Sequence, residues 1–149
     1  MRPVVILAVV LSGCAAVPAV PAAGPPSPQP VVLLVKAERR GGLCVSGSMC
    51  ESSITVRTDG TYTWRGNADG RSGTLSPDRF EALAAAVEQT GLASAPPFTG
   101  TCPVAYDGQE QVLTWLVDGE PVSSASCERV FDPADPLVVA AEELYAELA

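Results

Sequence analysis

Prolines at positions 18, 21, 25, 26, 28 and 30 divide this chain into two physically different parts. Proline lacks the amide hydrogen that a helix interior or a central strand requires, so Ala15 to Pro30 can form neither. The segment contains Ala, Pro, Val, Gly, Ser and Gln but no charge. It favours extended polyproline II at about 3.1 Å per residue, and sixteen such residues span roughly 50 Å. A packed fold must therefore come from Val31 to Ala149, about 119 residues, a length that suits one domain with a single core.

Within that domain the pattern reads as strand, hairpin, helix, hairpin, helix. Val31 to Lys36 is a predicted strand, followed by a loop through Gly41, Gly42 and the Cys44 to Cys50 segment. Ile54 to Arg57 and Thr61 to Arg65 are β-branched and aromatic arms around Asp59 and Gly60, a hairpin signal. A three-residue turn with Gly60 left-handed sets Val56 opposite Tyr62 and Ile54 opposite Trp64. That register gathers all four apolar residues on one face and turns Thr55, Arg57, Thr61 and Thr63 to water.

Ser76, Pro77 and Asp78 make a helix start: a capping hydroxyl, a first-turn proline and a carboxylate at the positive end. Leu75 and Phe80 form the expected hydrophobic staple, and Phe80, Leu83, Ala84 and Val87 the buried stripe. Gly91 is expected to end this helix in the left-handed conformation. A second hairpin runs from Gln111 to Val117 and Val122 to Cys127 around Asp118 and Gly119, with Trp115 opposite Val122. After Asp132, Pro133, Asp135 and Pro136, a final helix buries Leu137, Ala141, Leu144, Tyr145 and Leu148 and turns Glu142, Glu143 and Glu147 outward. The expected fold is α+β: a meandering antiparallel sheet of about five strands, two helices packed on one face, and two disulfides.

The N-terminus carries a different signal. Val4 to Leu11 is uninterrupted apolar chain preceded by Arg2, too short for a spanning helix, which needs roughly 20 residues, but suited to a secretory signal. It closes on Leu11, Ser12, Gly13 and Cys14, and this resembles the lipobox of bacterial lipoprotein precursors. The resemblance implies that residues 1–13 are a removed signal peptide. Cys14 becomes the lipidated first residue, residues 14–30 are a Pro/Ala-rich tether, and residues 31–149 are the single globular domain. It implies a protein of the cell membrane, lipid-anchored on its extracytoplasmic face.

With Cys14 assigned to lipid, Cys44, Cys50, Cys102 and Cys127 remain as an even set, and outside the cytosol thiols pair. Four cysteines allow three connectivities. The preferred one joins Cys44 to Cys50 across a short Gly and Ser loop, a closure of roughly 2 kcal/mol, and Cys102 to Cys127 across a longer one, about 3 to 4 kcal/mol. A redox site would want a close C-x-x-C pair, and a Cys/His metal site has no histidine to draw on, so structural bridges are expected and no metal or cofactor.

The absence of histidine also removes the usual proton shuttle of Ser and Cys hydrolases, so no catalytic residue is assigned. Net charge −8 disfavours phosphate backbones and anionic headgroups, so the expected membrane contact is the lipid alone, with no nucleic acid. Arg39 and Arg40, the only adjacent basic pair, read as a solvated strand end able to position an anion.

Between Leu92 and Glu110 lies a connection longer than the roughly 12 to 15 residues usual in compact domains, a length often found in functional loops. It carries Phe98, Tyr106, Asp107 and Glu110 and is tied down through Cys102. Either Phe98 and Tyr106 simply plug the edge of the core, or these four residues are the candidate binding loop of a non-enzymatic interaction module whose partner is an envelope protein or an extracellular ligand. The alternative is a carboxylate-dependent hydrolase of envelope glycan, which requires Asp107, Glu110 or Glu128 to converge in a cleft.

Overall fold

In the computed structural model, residues 31–43, 49–66 and 69–148 are described. They form strands β1 (Leu33–Leu43), β2 (Met49–Arg57), β3 (Thr61–Arg65) and β4 (Gly70–Thr74), helix α1 (Pro77–Gln89), strands β5 (Gln109–Val117) and β6 (Glu120–Ala125), and helix α2 (Pro136–Leu148). All neighbouring strands are antiparallel, in the order β4-β3-β2-β1-β5-β6. The class is α+β as expected, with six strands in place of about five.

The first hairpin has the anticipated register, Ile54 opposite Trp64 and Val56 opposite Tyr62. Gly60 sits at φ +78°, a conformation that disfavours any residue with a Cβ, and donates to the Arg57 carbonyl at 2.9 Å. Asp59 holds the turn from the side, its Oδ1 accepting from the amide and hydroxyl of Thr61 at 2.9 and 2.7 Å. In the second hairpin Asp118 and Gly119 both have positive φ, and Trp115 lies opposite Val122.

β4 is the strand that propensity misses, because Gly70-Arg-Ser-Gly-Thr74 contains no apolar residue to bury. Its place in the sheet comes from β3. Tyr62 pairs with Gly73, where an added Cβ would meet the tyrosine hydroxyl at 2.8 Å and the ring at 2.9 Å, so the aromatic side chain covers the glycine. Trp64 stands opposite Arg71, whose guanidinium lies 5.2 Å from the indole centroid. A neighbouring strand supplies the surface that β4 lacks.

Strand alternation divides the sheet into two faces. Val35 and Ala37 of β1, Ile54 and Val56 of β2, and Leu113 and Trp115 of β5 point to one side and are fully buried. They meet Leu83 of α1 and Leu137, Val138, Ala141, Leu144, Tyr145 and Leu148 of α2. Both helices therefore cover the same face. Tyr145 fixes α2 to the sheet: its hydroxyl is shared between the carbonyls of Ala37 and Ser52, at 3.1 and 3.0 Å, and burial pushes its pKa up.

The helix ends are joined rather than independently capped. Ser76 caps α1 as expected, but the helix stops at Gln89 with Thr90 extended, and Gly91 has φ −94°, not a left-handed value. The reason is tertiary. Buried Asp135 accepts from the Thr90 hydroxyl (2.8 Å) and the Gly91 amide (2.8 Å), then caps α2 by accepting from the Leu137 amide (2.9 Å). One carboxylate thus satisfies donors at the end of one helix and the start of the other.

Arg39 and Arg40 are also placed differently from the expected solvated strand end. Both lie inside β1, so consecutive side chains emerge on opposite faces. Arg39 turns to the helices, pairing with Glu142 at 2.5 Å and lying 4.0 Å from the Tyr145 ring centroid. Arg40 turns away and pairs with Glu38 at 3.1 Å. Glu143 and Glu147, though exposed, hold Arg79 of α1 at 2.7 and 3.2 Å.

Candidate functional site

The long connection after α1 is an ordered structure with three anchors. Leu92–Ser94 forms one short 3-10 turn, with Leu92 buried beneath it. Pro97 then bridges to Arg129, with the Val130 amide donating to the Pro96 carbonyl and the Phe98 amide to the Glu128 carbonyl, each at 2.9 Å. The Arg129 guanidinium closes this clamp on the Ala95 carbonyl, also at 2.9 Å. Backbone pairing, unreadable from side-chain pattern, thereby replaces the open loop that the prolines suggest.

The third anchor is covalent. Cys102 and Cys127 form a disulfide with their Cα atoms 5.0 Å apart, as the preferred pairing requires. The second expected bridge involves Cys44, which lies outside the described residues, as do Cys14 and residues 1–30. Immediately after Cys102, Pro103–Tyr106 makes another 3-10 turn, closed by the Gly108 amide on the Pro103 carbonyl at 2.8 Å. Val104 seats this turn on Gly41 of β1, where φ is +91° and an added Cβ would meet Val104 at 2.9 Å. Glycine there allows the close approach.

On this platform Tyr106 is 77% exposed, the most exposed of the large hydrophobic residues described. Phe98 is half-buried, its ring folded over Gly100, where a Cβ would come within 2.7 Å of it. Asp107 is exposed on the left-handed residue that ends the turn, φ +62°. Glu110 is half-buried at the start of β5, its carboxylate within 4.8 Å of the Cys102 and Cys127 sulfurs. Those sulfurs are joined to each other and offer no thiolate to a metal.

The four loop residues therefore share a segment but not an environment: Tyr106 and Asp107 project, Phe98 folds back, and Glu110 sits against the disulfide. Glu128 is exposed beyond β6. Five depressions on the described surface are lined by other residues, two of them on the open face of the sheet.

That open face carries cations that belong to no motif in the sequence. Lys36, Arg40, Arg57 and Arg65 all emerge there, among Ser53, Thr55 and Thr63. Glu38 lies between Lys36 (3.0 Å) and Arg40 (3.1 Å). Burial works to raise its pKa, but the hydrogen bonds and charges of the two cations outweigh that and hold the carboxyl below its ordinary value. The signal for this face was present in the strand alternation that turned Thr55, Arg57 and Thr63 to water.

Neither a protein-family model nor any curated protein matches this chain. No helix among the described residues is long and apolar enough to cross a membrane.

Proposed function

We propose that this chain is a lipid-anchored, extracytoplasmic binding module that presents the clamped loop around Tyr106 to an envelope protein or extracellular ligand. The observation that carries the reading is Tyr106 itself: a large aromatic residue, 77% exposed, on a turn held by a disulfide and by contact with β1. An exposed tyrosine on a rigid support supplies contact area with little conformational entropy to lose, the usual composition of an interface anchor. The lipid anchor rests on the lipobox-like Leu11 to Cys14, and the proline tether would carry the domain away from the headgroups.

A glycan hydrolase is the weaker reading. It needs two carboxylates facing one substrate, with one desolvated so that it can serve as acid. Asp107 and Glu128 are exposed, and Glu110 abuts a disulfide.

Affinity capture from native envelope, comparing the parent protein with a Tyr106→Ala variant of unchanged melting temperature, tests the loop. Loss of a specific partner with Tyr106→Ala is the expected result; identical recovery of every partner rules out recognition through this residue. Mass measurement of the N-terminal peptide, with Cys14→Ser as control, tests the anchor separately, and an unmodified thiol at Cys14 defeats it.

A further inference from the structure

On the helix-free face of the sheet a row of polar side chains crosses all six strands, Ser72, Thr63, Thr55, Lys36, Thr114 and Ser123, fixed by the pairing register. Over β2 and β3 its neighbours are also polar and make a trough, whereas on β5 they are Val112 and Leu116. Five of the six side chains are hydroxyls, spaced at about 4.8 Å from strand to strand. Two adjacent depressions of about 200 and 180 Å³ lie on this face and share Ser53 and Arg65; the smaller is lined by Lys36, Thr55 and Thr63 of the row, and the larger lies beside it. Together they are lined by four cations, Lys36, Arg40, Arg57 and Arg65, against two carboxylates, Glu38 and Glu51.

This balance runs opposite to the molecule as a whole, which carries net charge −8. Glu38 neutralises part of Lys36 and Arg40, at 3.0 and 3.1 Å. Arg57 and Arg65 form no such direct pair: neither guanidinium lies within 4.0 Å of a carboxylate oxygen among the described residues, although the Asp59 carboxylate acts on Arg57 from further away. The two emerge at opposite ends of the β2–β3 pairing but line one depression, and two cations there without a directly paired anion favour an acidic ligand.

We propose that this trough binds an acid-bearing polysaccharide, its carboxylate or phosphate groups on Arg57 and Arg65 and its sugar hydroxyls along the Thr and Ser row. The hydroxyl row offers donors and acceptors at a regular spacing, as a polyhydroxylated chain requires. A nucleic acid strand would want aromatic platforms for its bases, but Tyr62 and Trp64 both lie on the opposite, helix-covered face. The site is separate from Tyr106, so Tyr106→Ala leaves this binding intact and the two readings fail independently.

The test is calorimetric titration of the full-length protein, in detergent micelles at low ionic strength, with polygalacturonate. Saturable binding is expected, none to neutral dextran, and weakening as salt screens the charges. Substituting Arg57→Gln and Arg65→Gln together should weaken binding about tenfold. The pair Arg57→Lys and Arg65→Lys should keep most of it, which guards against a loss caused by misfolding. Arg71→Gln, which removes the same charge from the opposite face of the sheet, should change nothing. Equal weakening by Arg71→Gln, no binding of polygalacturonate, or binding only to phosphatidylglycerol vesicles or to single-stranded DNA overturns the proposal.

Discussion

The two faces of the sheet are made from the same strands, yet they obey different rules. On the covered face a residue is defined by what fills the space around it: Leu113 and Trp115 are sealed by helices, and Tyr145 reaches through to the carbonyls of Ala37 and Ser52. On the open face Lys36, Ser53, Thr55, Arg57 and Arg65 keep contact with solvent and are defined by charge and hydrogen-bonding capacity. One-residue alternation produces both, because successive side chains leave a strand on opposite sides. Stability should therefore concentrate on one face, and binding capacity on the other.

Core truncation gives the largest separation between the faces. Leu113→Ala should cost about 4 kcal/mol, from lost burial plus the cavity left behind, whereas Ser53→Ala on the open face should stay within about 0.5 kcal/mol. Chemical denaturation of both variants measures the contrast, and comparable losses would break it. Tyr145→Phe should cost about 1 kcal/mol, since it removes a hydrogen-bond donor shared by two strands without opening a cavity. A loss as large as that of Leu113→Ala would mean that the hydroxyl, not the ring, holds α2 to the sheet.

The smallest effect is electrostatic and belongs to the open face. The Glu38 carboxyl has its pKa below the ordinary 4.5 in the folded protein, so its stabilising contribution is present above that value. It disappears as pH falls from there through the depressed folded value. Glu38→Gln should make the acid limb of the stability curve shallower, by a small amount because its two cation partners are partly exposed to solvent. Thermal melts across that range read the change; parallel acid limbs would sever the link between Glu38 and its two cations.

The first hairpin was legible because its constraints are local. Asp59 and Gly60 specify the turn, and only one register brings Ile54, Val56, Tyr62 and Trp64 together. The Ser76 cap and the Trp115 to Val122 pairing were readable for the same reason, whereas the Cys102 to Cys127 bridge was a preference among three connectivities that the fold decided. β4 was not, since its glycines are covered by Tyr62 and its arginine lies over Trp64, both side chains of the adjacent strand. The end of α1 escaped too: the Asp135 carboxylate that meets Thr90 and Gly91 comes from 44 residues further along the chain.

The candidate loop shows the same division. Its length and its cysteine marked it in the sequence, and Tyr106 is exposed on it. The burial of Phe98 depends on Gly100 beneath the ring, and the clamp at Pro97 and Arg129 is backbone hydrogen bonding to a distant segment. Neither leaves a periodic signature.

What the sequence determined alone was what neighbours along the chain set: turn chemistry, strand alternation, helix periodicity and the sign of the overall charge. What only the tertiary structure decided was which distant groups would share a donor, cover a glycine or gather as cations on one face. Arg57 and Arg65 illustrate the difference, for each is an ordinary outward-facing strand residue until pairing of β2 with β3 brings both to one trough. Local preferences act through the backbone of a few residues, whereas such juxtapositions exist only after strands from separate parts of the chain have paired.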